Sequence, residues 1–258
     1  MAYTHEQVNH LQDEHRALQE ALQKLLMQCV IQGDAVTNIK AKEYMLHGAA
    51  RRLRIMARAL GNIYQIYPPS NTKILDRDSL TNLEINLHAY LINLYGVFEN
   101  FAWSFVALHD LEAAIGGRMK IGVFCPATQK FFPEPIQSYV QETATKKWFD
   151  DYLKNYRDAL AHRIPLYVPP ATYTAAEAVI YKALEAEKIE CFKQHRWDRI
   201  DEIWHEQDGF GVPSKMFLHS FSEHESLKPV LMHPQVLCDG MSIVEFGRVY
   251  LEHWRNRA

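Results

Sequence analysis

The 258 residues of this chain suffice for one large domain with a sizeable core. Hydrophobic residues make up 48% and charged residues 23%, and the formal net charge is -3. These values exclude an intrinsically disordered chain, a collagen-like repeat and a generally basic nucleic-acid coat protein. The N-terminus lacks a basic region followed by an apolar run, and no stretch of eighteen apolar residues occurs. We therefore expect a cytoplasmic protein with no membrane association.

Helix signals dominate the chain. Four capping-box spacings predict helix starts, at Thr4 with Gln7, Thr81 with Glu84, Thr174 with Glu177 and Ser242 with Glu245. Apolar periodicity between chain-breaking residues predicts helices over about 4–33, 38–67, 81–116, 136–163 (with a break near Lys146), 174–207 and 241–255. Residues 121–135 lack a helical period and predict a loop, with room for a short strand.

Residues 209–238 are rich in Gly, Pro, Ser and His, with short apolar runs between them, which predicts a small hairpin or an ordered loop. A closing helix over 239–258 follows. No internal repeat or flexible linker divides the chain, so we expect one domain over 1–258. The predicted fold is an all-α, up-and-down bundle of five to seven helices with a partly irregular C-terminal segment.

The segment Asn155 to Arg163, directly before a proline-rich stop, brings together an arginine, a carboxylate and a histidine. On a helix, Asp158 and His162 are four residues apart, so the carboxylate is expected to orient the imidazole. Arg157 lies about 140° from His162 around the same helix, which favours a groove or a dimer interface as the place where both meet a ligand. An arginine that stabilises a phosphorane-like transition state and a histidine that moves a proton suffice for phosphodiester chemistry without a metal.

This motif resembles that of the HEPN superfamily, in which an Arg is followed by a polar residue and, four to six positions after the Arg, by a His. Arg157, Asp158 and His162 match these positions. The resemblance implies a homodimer that places two motifs face to face, and in active members RNA cleavage that leaves a 2′,3′-cyclic phosphate. Arg199 with His205 and Arg248 with His253 have the same spacing, but an apolar residue follows each of those arginines. Other members are binding or scaffold modules.

Two further patterns predict lining residues. One helical face carries His47, Arg51, Arg54 and Arg58. Together with Arg163, these residues are candidates for binding nucleic acid or another anion. The alternative is a solvated face on which the apolar stems of the arginines cover the core. Asn93 and Asn100 lie seven residues apart in the most apolar helix, so they should line a polar cleft or form a register-fixing buried network.

The sequence thus predicts an RNA-directed HEPN-like protein, a metal-independent endoribonuclease with no cofactor, in which Arg157 binds the scissile phosphate, His162 transfers a proton and Asp158 orients His162. The first alternative is a non-catalytic module in which Arg157 and His162 hold an anion or a protein partner. The second is a metal-binding bundle, which is weakly suggested by His10, Glu14 and His15 and by Glu202 with His205. A di-iron bundle needs the Glu-x-x-His pair on two helices, and only Glu202 and His205 provide it.

Overall fold

The computed structural model, which describes residues 3–219 and 228–255, confirms the all-α bundle. Its α-helices are α1 (His5–Ala35), α2 (Ile39–Glu43), α3 (Ala50–Ile66), α4 (Arg77–Leu108), α5 (Glu112–Ile115), α6 (Pro126–Gln129), α7 (Glu134–Gln141), α8 (Thr143–Trp148), α9 (Lys154–His162), α10 (Ala175–Lys193), α11 (Trp197–Gln207) and α12 (Met232–Arg255). Short strands form two antiparallel pairs, β1 (Ala171–Thr172) with β2 (Val212–Pro213) and β3 (Met216–His219) with β4 (Lys228–Leu231).

Helix α4 is the centre of the bundle. It packs against α3 on one side and against α9 and α12 on others, while α1 packs on α3 and α12. By length and composition alone, α4 is apolar enough to cross a membrane, but 61% of its most apolar stretch is buried inside the protein. That burial is what the core helix of a bundle requires, because a helix with apolar side chains around most of its circumference must be covered on most sides.

Two π-helical turns interrupt the bundle, at Tyr44–Ala49 between α2 and α3 and at Phe149–Leu153 between α8 and α9. Such turns are rare and often occur at functional sites. Tyr44 and Phe149, the first residues of these turns, each line one of two cavities beside α4. Gly48, in the first turn, lies so close to α4 that a Cβ atom there would come within 2.6 Å of the Asn100 amide.

Two of the four predicted capping boxes are confirmed, at Thr4 and Thr174. The other two were wrong. Helix α4 begins four residues before Thr81, at Arg77 after the N-cap Asp76, and the Thr81 hydroxyl donates to the Arg77 carbonyl inside the helix. Helix α12 begins at Met232, and the Ser242 hydroxyl likewise donates to a carbonyl four residues earlier in the helix. The spacing of a capping box also occurs within helices, where the hydroxyl bonds backwards instead.

The predicted helix over 174–207 is two helices, because His195 adopts a left-handed backbone conformation with φ of 56°. Helices α10 and α11 form a hairpin with a small hydrophobic cluster of its own, made by Leu184, Cys191, Ile200 and Ile203. The predicted helix over 136–163 does break, but at Glu142 between α7 and α8, four residues before Lys146, which lies inside α8.

Residues 121–135 contain the short helix α6 and the first two residues of α7, and they form no strand. A small hairpin is confirmed within 209–238 by β3 and β4, while residues 220–227 of that segment lie outside the described part of the chain.

Candidate functional site

Arg157 points from α9 toward the central helix α4. Its Nη2 donates a hydrogen bond of 2.9 Å to the Tyr95 hydroxyl, and its guanidinium carbon lies 4.2 Å from the centroid of the Tyr95 ring. The Nε atom is buried and has no hydrogen-bond partner in the described residues, although 29% of the side chain is exposed. The guanidinium is therefore held by a cation–π contact and retains donor capacity for a ligand.

Asp158 does not take the role that the sequence predicts. Its carboxylate pairs with Arg157 Nη1 at 3.0 Å and with Lys154 Nζ at 3.6 Å, and no hydrogen bond or ion pair to His162 is formed. The expectation that Asp158 orients His162 was therefore wrong. Adjacent residues on a helix do not normally face each other, but the Arg157 side chain is long enough to turn back to the neighbouring carboxylate.

His162 is the last residue of α9 and is exposed. Among the residues that the structure describes, it has no hydrogen-bond or ion-pair partner, and it lines none of the cavities that contain Arg157. Arg163, the next residue, is also exposed and has extended backbone geometry. One copy of the chain therefore does not bring Arg157 and His162 together at a common cavity.

The Arg157 cleft, as we call it, consists of two adjoining cavities of about 370 Å³ each. Both cavities are lined by Tyr95, Glu99, Trp103, Arg118 and Arg157. The guanidinium carbon of Arg118 lies 5.2 Å from the centre of the Trp103 ring. Cavities of this size accommodate a small ligand or part of a larger one.

The charge in the cleft is predominantly positive. Arg118 and Arg157 line both cavities, Arg52 lines the first and Lys154 the second, and Glu99 is their common acidic residue. Because the whole chain carries a net charge of -3, this concentration of cations is local. Such a concentration favours the binding of phosphate or another anion.

Glu99 is the acidic group that lines both cavities of the cleft. Burial raises its pKa from 4.5 to about 7, although the charge of Arg157 acts in the opposite direction. The carboxylate makes no hydrogen bond to the described residues, and it lies against Gly122, where a Cβ atom would come within 3.1 Å of Oε1. Burial also raises the pKa of Tyr95. A carboxyl that titrates near neutral pH and has no fixed partner is suited to accept or donate a proton.

Asn93 and Asn100 are held by Arg52, a residue of α3. Arg52 Nε donates to Asn100 Oδ1 at 3.0 Å, and its Nη1 donates to Asn93 Oδ1 at 3.2 Å. Asn100 lines the Arg157 cleft, whereas the Asn93 side chain also donates to the Ala89 carbonyl within its own helix. The asparagines therefore join two helices, and they position Arg52 at the cleft.

The predicted basic face of α3 lies outside the Arg157 cleft. Arg51, Arg54 and Arg58 are exposed on one side of α3, and none of them lines the Arg157 cleft. Arg51 Nη2 lies 3.0 Å from His47 Nδ1. Arg52, which points inward, reaches the cleft instead.

Sequence reasoning missed Glu99, Tyr95, Trp103 and Arg118. Glu99 had a recognisable signal, because it is the only charged residue between Ile85 and Leu108 in the most apolar helix. A lone charge in such a helix is costly unless it faces a cavity or a partner. Trp103 and Arg118 carried no such signal, since the loop after α4 decides that they meet.

Comparison with known protein families, with curated proteins and with solved structures gave no match. Within residues 3–219 and 228–255, no group of three or more His, Cys, Asp and Glu side chains is placed to hold a metal ion. His10, Glu14 and His15 form no such group, and Glu202 and His205 belong to none.

Proposed function

We propose that this protein is an RNA-binding protein of the HEPN type that holds an RNA phosphate in the Arg157 cleft and cleaves the chain without a metal ion. One observation carries the proposal. Four cationic side chains and a carboxyl with a pKa of about 7 meet in a cleft that also contains Tyr95 and Trp103. Cations neutralise the charge of a phosphate.

The chemistry assigned to these residues is an internal displacement at phosphorus. The ribose 2′-oxygen forms a bond to phosphorus while the bond from phosphorus to the 5′-oxygen breaks, which yields a 2′,3′-cyclic phosphate and a 5′-hydroxyl. Glu99, in its ionised form, accepts the 2′-hydroxyl proton, and Arg157 neutralises the charge that develops on the phosphate oxygens. His162 of a second copy donates the proton that the leaving 5′-oxygen requires.

A cleavage assay on a labelled single-stranded RNA in the presence of EDTA tests this proposal. We expect Arg157→Lys, Glu99→Gln and His162→Ala each to reduce the rate by about 100-fold, since positioned proton transfer and charge stabilisation are each worth roughly that factor. Exposed residues provide matched controls, namely Arg77→Lys and Glu20→Gln. The controls should retain the wild-type rate.

The pH dependence adds a second readout. Glu99 must be ionised to act as a base, so we expect the rate to fall as pH decreases below about 7. Glu99→Gln should abolish this dependence along with most of the rate. RNA cleavage that continues unchanged in Arg157→Lys or Glu99→Gln would contradict the proposal.

The second candidate function is a non-catalytic anion-binding module. It is favoured by a specific observation, the position of His162 outside the cleft of its own copy. In that case RNA or a small phosphate compound binds without being cleaved, and affinity increases as pH falls below about 7, because protonation of Glu99 removes the negative charge from the cleft. Binding that Arg157→Lys weakens, with intact RNA recovered at every pH, distinguishes this function from the first.

A further inference from the structure

Helix α11 carries an exposed stripe of alternating aromatic and acidic residues. Trp197, Asp201, Trp204 and Asp208 follow one another at intervals of four, three and four residues, so they lie on one face of α11 and its last turn. The two tryptophans are 55% and 49% exposed. Tryptophan is enriched at protein interfaces, where a partner covers its apolar ring.

The charge of this hairpin is distinctly negative. Residues 175–208 contain nine Asp and Glu against five Lys and Arg, a net charge of -4 in a chain whose total is -3. Other acidic residues of α11 are committed within the hairpin, since Glu202 and Glu206 pair with Arg199. Asp201 and Asp208 have no ion pair within the part of the chain that the structure describes, so they are available to an external cation.

Helix α3 and the turn before it carry a stripe of complementary character. His47, Arg51, Arg54 and Arg58 repeat the same intervals of four, three and four residues, and all are exposed. Ile55, 44% exposed, lies between them. The three arginines have no ion pair among the described residues. Each stripe is about 16 Å long at 1.5 Å per residue.

We propose that the α11 stripe of one copy of this protein docks on the α3 stripe of a second copy. Both stripes are exposed in the same chain, so they do not cover each other within one copy. The intervals of four, three and four residues are the same from either end of each stripe. Each position of the α3 stripe can therefore face an acidic or aromatic position of the α11 stripe, whether the two helices run parallel or antiparallel. Arginine forms ion pairs with aspartate and also stacks on tryptophan. The two surfaces are therefore complementary both in charge and in cation–π contacts.

Two such contacts related by a two-fold axis form a closed homodimer, in which each copy gives its hairpin and receives that of its partner. The interface does not include the residues of the Arg157 cleft, so it is distinct from the contact that would bring His162 of a second copy to that cleft, and it does not rest on the proposed catalytic function. It assigns the basic face of α3 to protein association rather than to RNA.

The test is the mass of the purified full chain, measured by light scattering and sedimentation at micromolar concentration. We expect a dimer that weakens as salt is raised, because the pairs are exposed. Asp201→Arg and Arg54→Glu, made separately at inner positions of the two stripes, should each weaken dimerisation by at least about tenfold through like-charge repulsion. Glu20→Arg, on the exposed face of α1, is the matched control and should leave the dimer intact.

Mixing the two single variants provides the decisive result. In a mixed dimer, the reversed charge on α11 of one chain meets the reversed charge on α3 of the other, and the second contact is unchanged. We therefore expect dimers to reappear on mixing, detectable as heterodimers by native mass spectrometry. A monomer at all concentrations, a dimer insensitive to both reversals, or a loss of RNA binding in Arg54→Glu without a change in mass would each overturn the proposal.

Discussion

The buried carboxyl of Asp239 makes the stability of this protein depend on pH in the direction opposite to that of an ion-paired carboxylate. Asp239 lies on α12 and is completely buried. Its Oδ1 accepts hydrogen bonds from Trp148 Nε1 and Gln235 Nε2, and its Oδ2 accepts one from the Tyr152 hydroxyl. Burial nevertheless raises its pKa from 3.8 to about 6, because these hydrogen bonds only partly replace the lost hydration.

The size of the effect on stability follows from the difference between these two pKa values. Ionising this carboxyl costs about 3 kcal/mol more in the folded protein than in the unfolded chain. Between about pH 4 and pH 6, the folded protein retains a proton on Asp239 that the unfolded chain has already lost. The contribution of Asp239 to the free energy of unfolding therefore falls as pH rises through this interval, and it is constant above it.

Asp239→Asn removes the ionisation and can retain the hydrogen bonds. The amide oxygen accepts from Trp148 and Gln235, and the amide nitrogen donates to the Tyr152 hydroxyl, which then accepts instead of donating. Relative to the wild type, we expect the variant to gain up to about 3 kcal/mol of stability between pH 4 and pH 7.

Urea unfolding, followed by circular dichroism at several pH values, measures this difference. The comparison with the wild type is necessary because other groups titrate in the same range. Asp13→Asn, on the exposed face of α1, is a control that should show little change. A difference between Asp239→Asn and wild type that is the same at pH 4 and pH 7 would refute the reasoning.

Three other changes test separate features. His233→Gln should remove an acid-side loss of stability. Burial lowers the pKa of His233 from 6.5 to about 4, so the unfolded chain binds a proton first and wild-type stability falls as pH falls from 6.5 to 4; urea unfolding across that range checks the slope. Gly96→Ala should displace the Arg52 guanidinium, whose carbon would lie 2.5 Å from the new Cβ. Titration with a phosphate ligand should then show weaker binding to the Arg157 cleft. An unchanged affinity would contradict a role for Arg52 in the cleft. Ile203→Ala should cost about 2–4 kcal/mol locally; because its cluster is separate from the main core, hydrogen exchange should accelerate in α10 and α11 and not in α4.

Much of the fold was predictable because its causes are local. The period of apolar residues and the breakers Pro68 and Pro69 predicted the long helices, and capping residues placed two of their starts. The start of α4 was misplaced because the N-cap is Asp76, which has no capping-box partner. The break at His195 was missed because neither glycine nor proline marks it, and the left-handed conformation there is maintained by the packing of α10 on α11.

Two residues of the candidate site, Arg157 and Asn100, were predictable from the sequence. The motif drew attention to Arg157, which does lie in a cleft, but its neighbours come from residues distant in the chain. The pairing of Asp158 with His162 was expected from helical spacing alone. It failed because Lys154 lies four residues to the other side of Asp158 on the same helix, and Arg157 turns back toward the carboxylate. Spacing permits both pairs, and it does not decide between them.

The amino-acid sequence by itself determined the helical class, the outer ends of several long helical segments and the segment that contains Arg157, because propensity, periodicity and capping act over a few residues. Only the tertiary structure decided that Glu99 shares a cleft with Arg157, that Arg52 rather than Arg51 or Arg54 reaches it, and that His162 lies outside it. These outcomes depend on how helices rotate against one another and on how much water their packing excludes from each side chain. Both are properties of the assembled bundle, and no stretch of the chain specifies them alone.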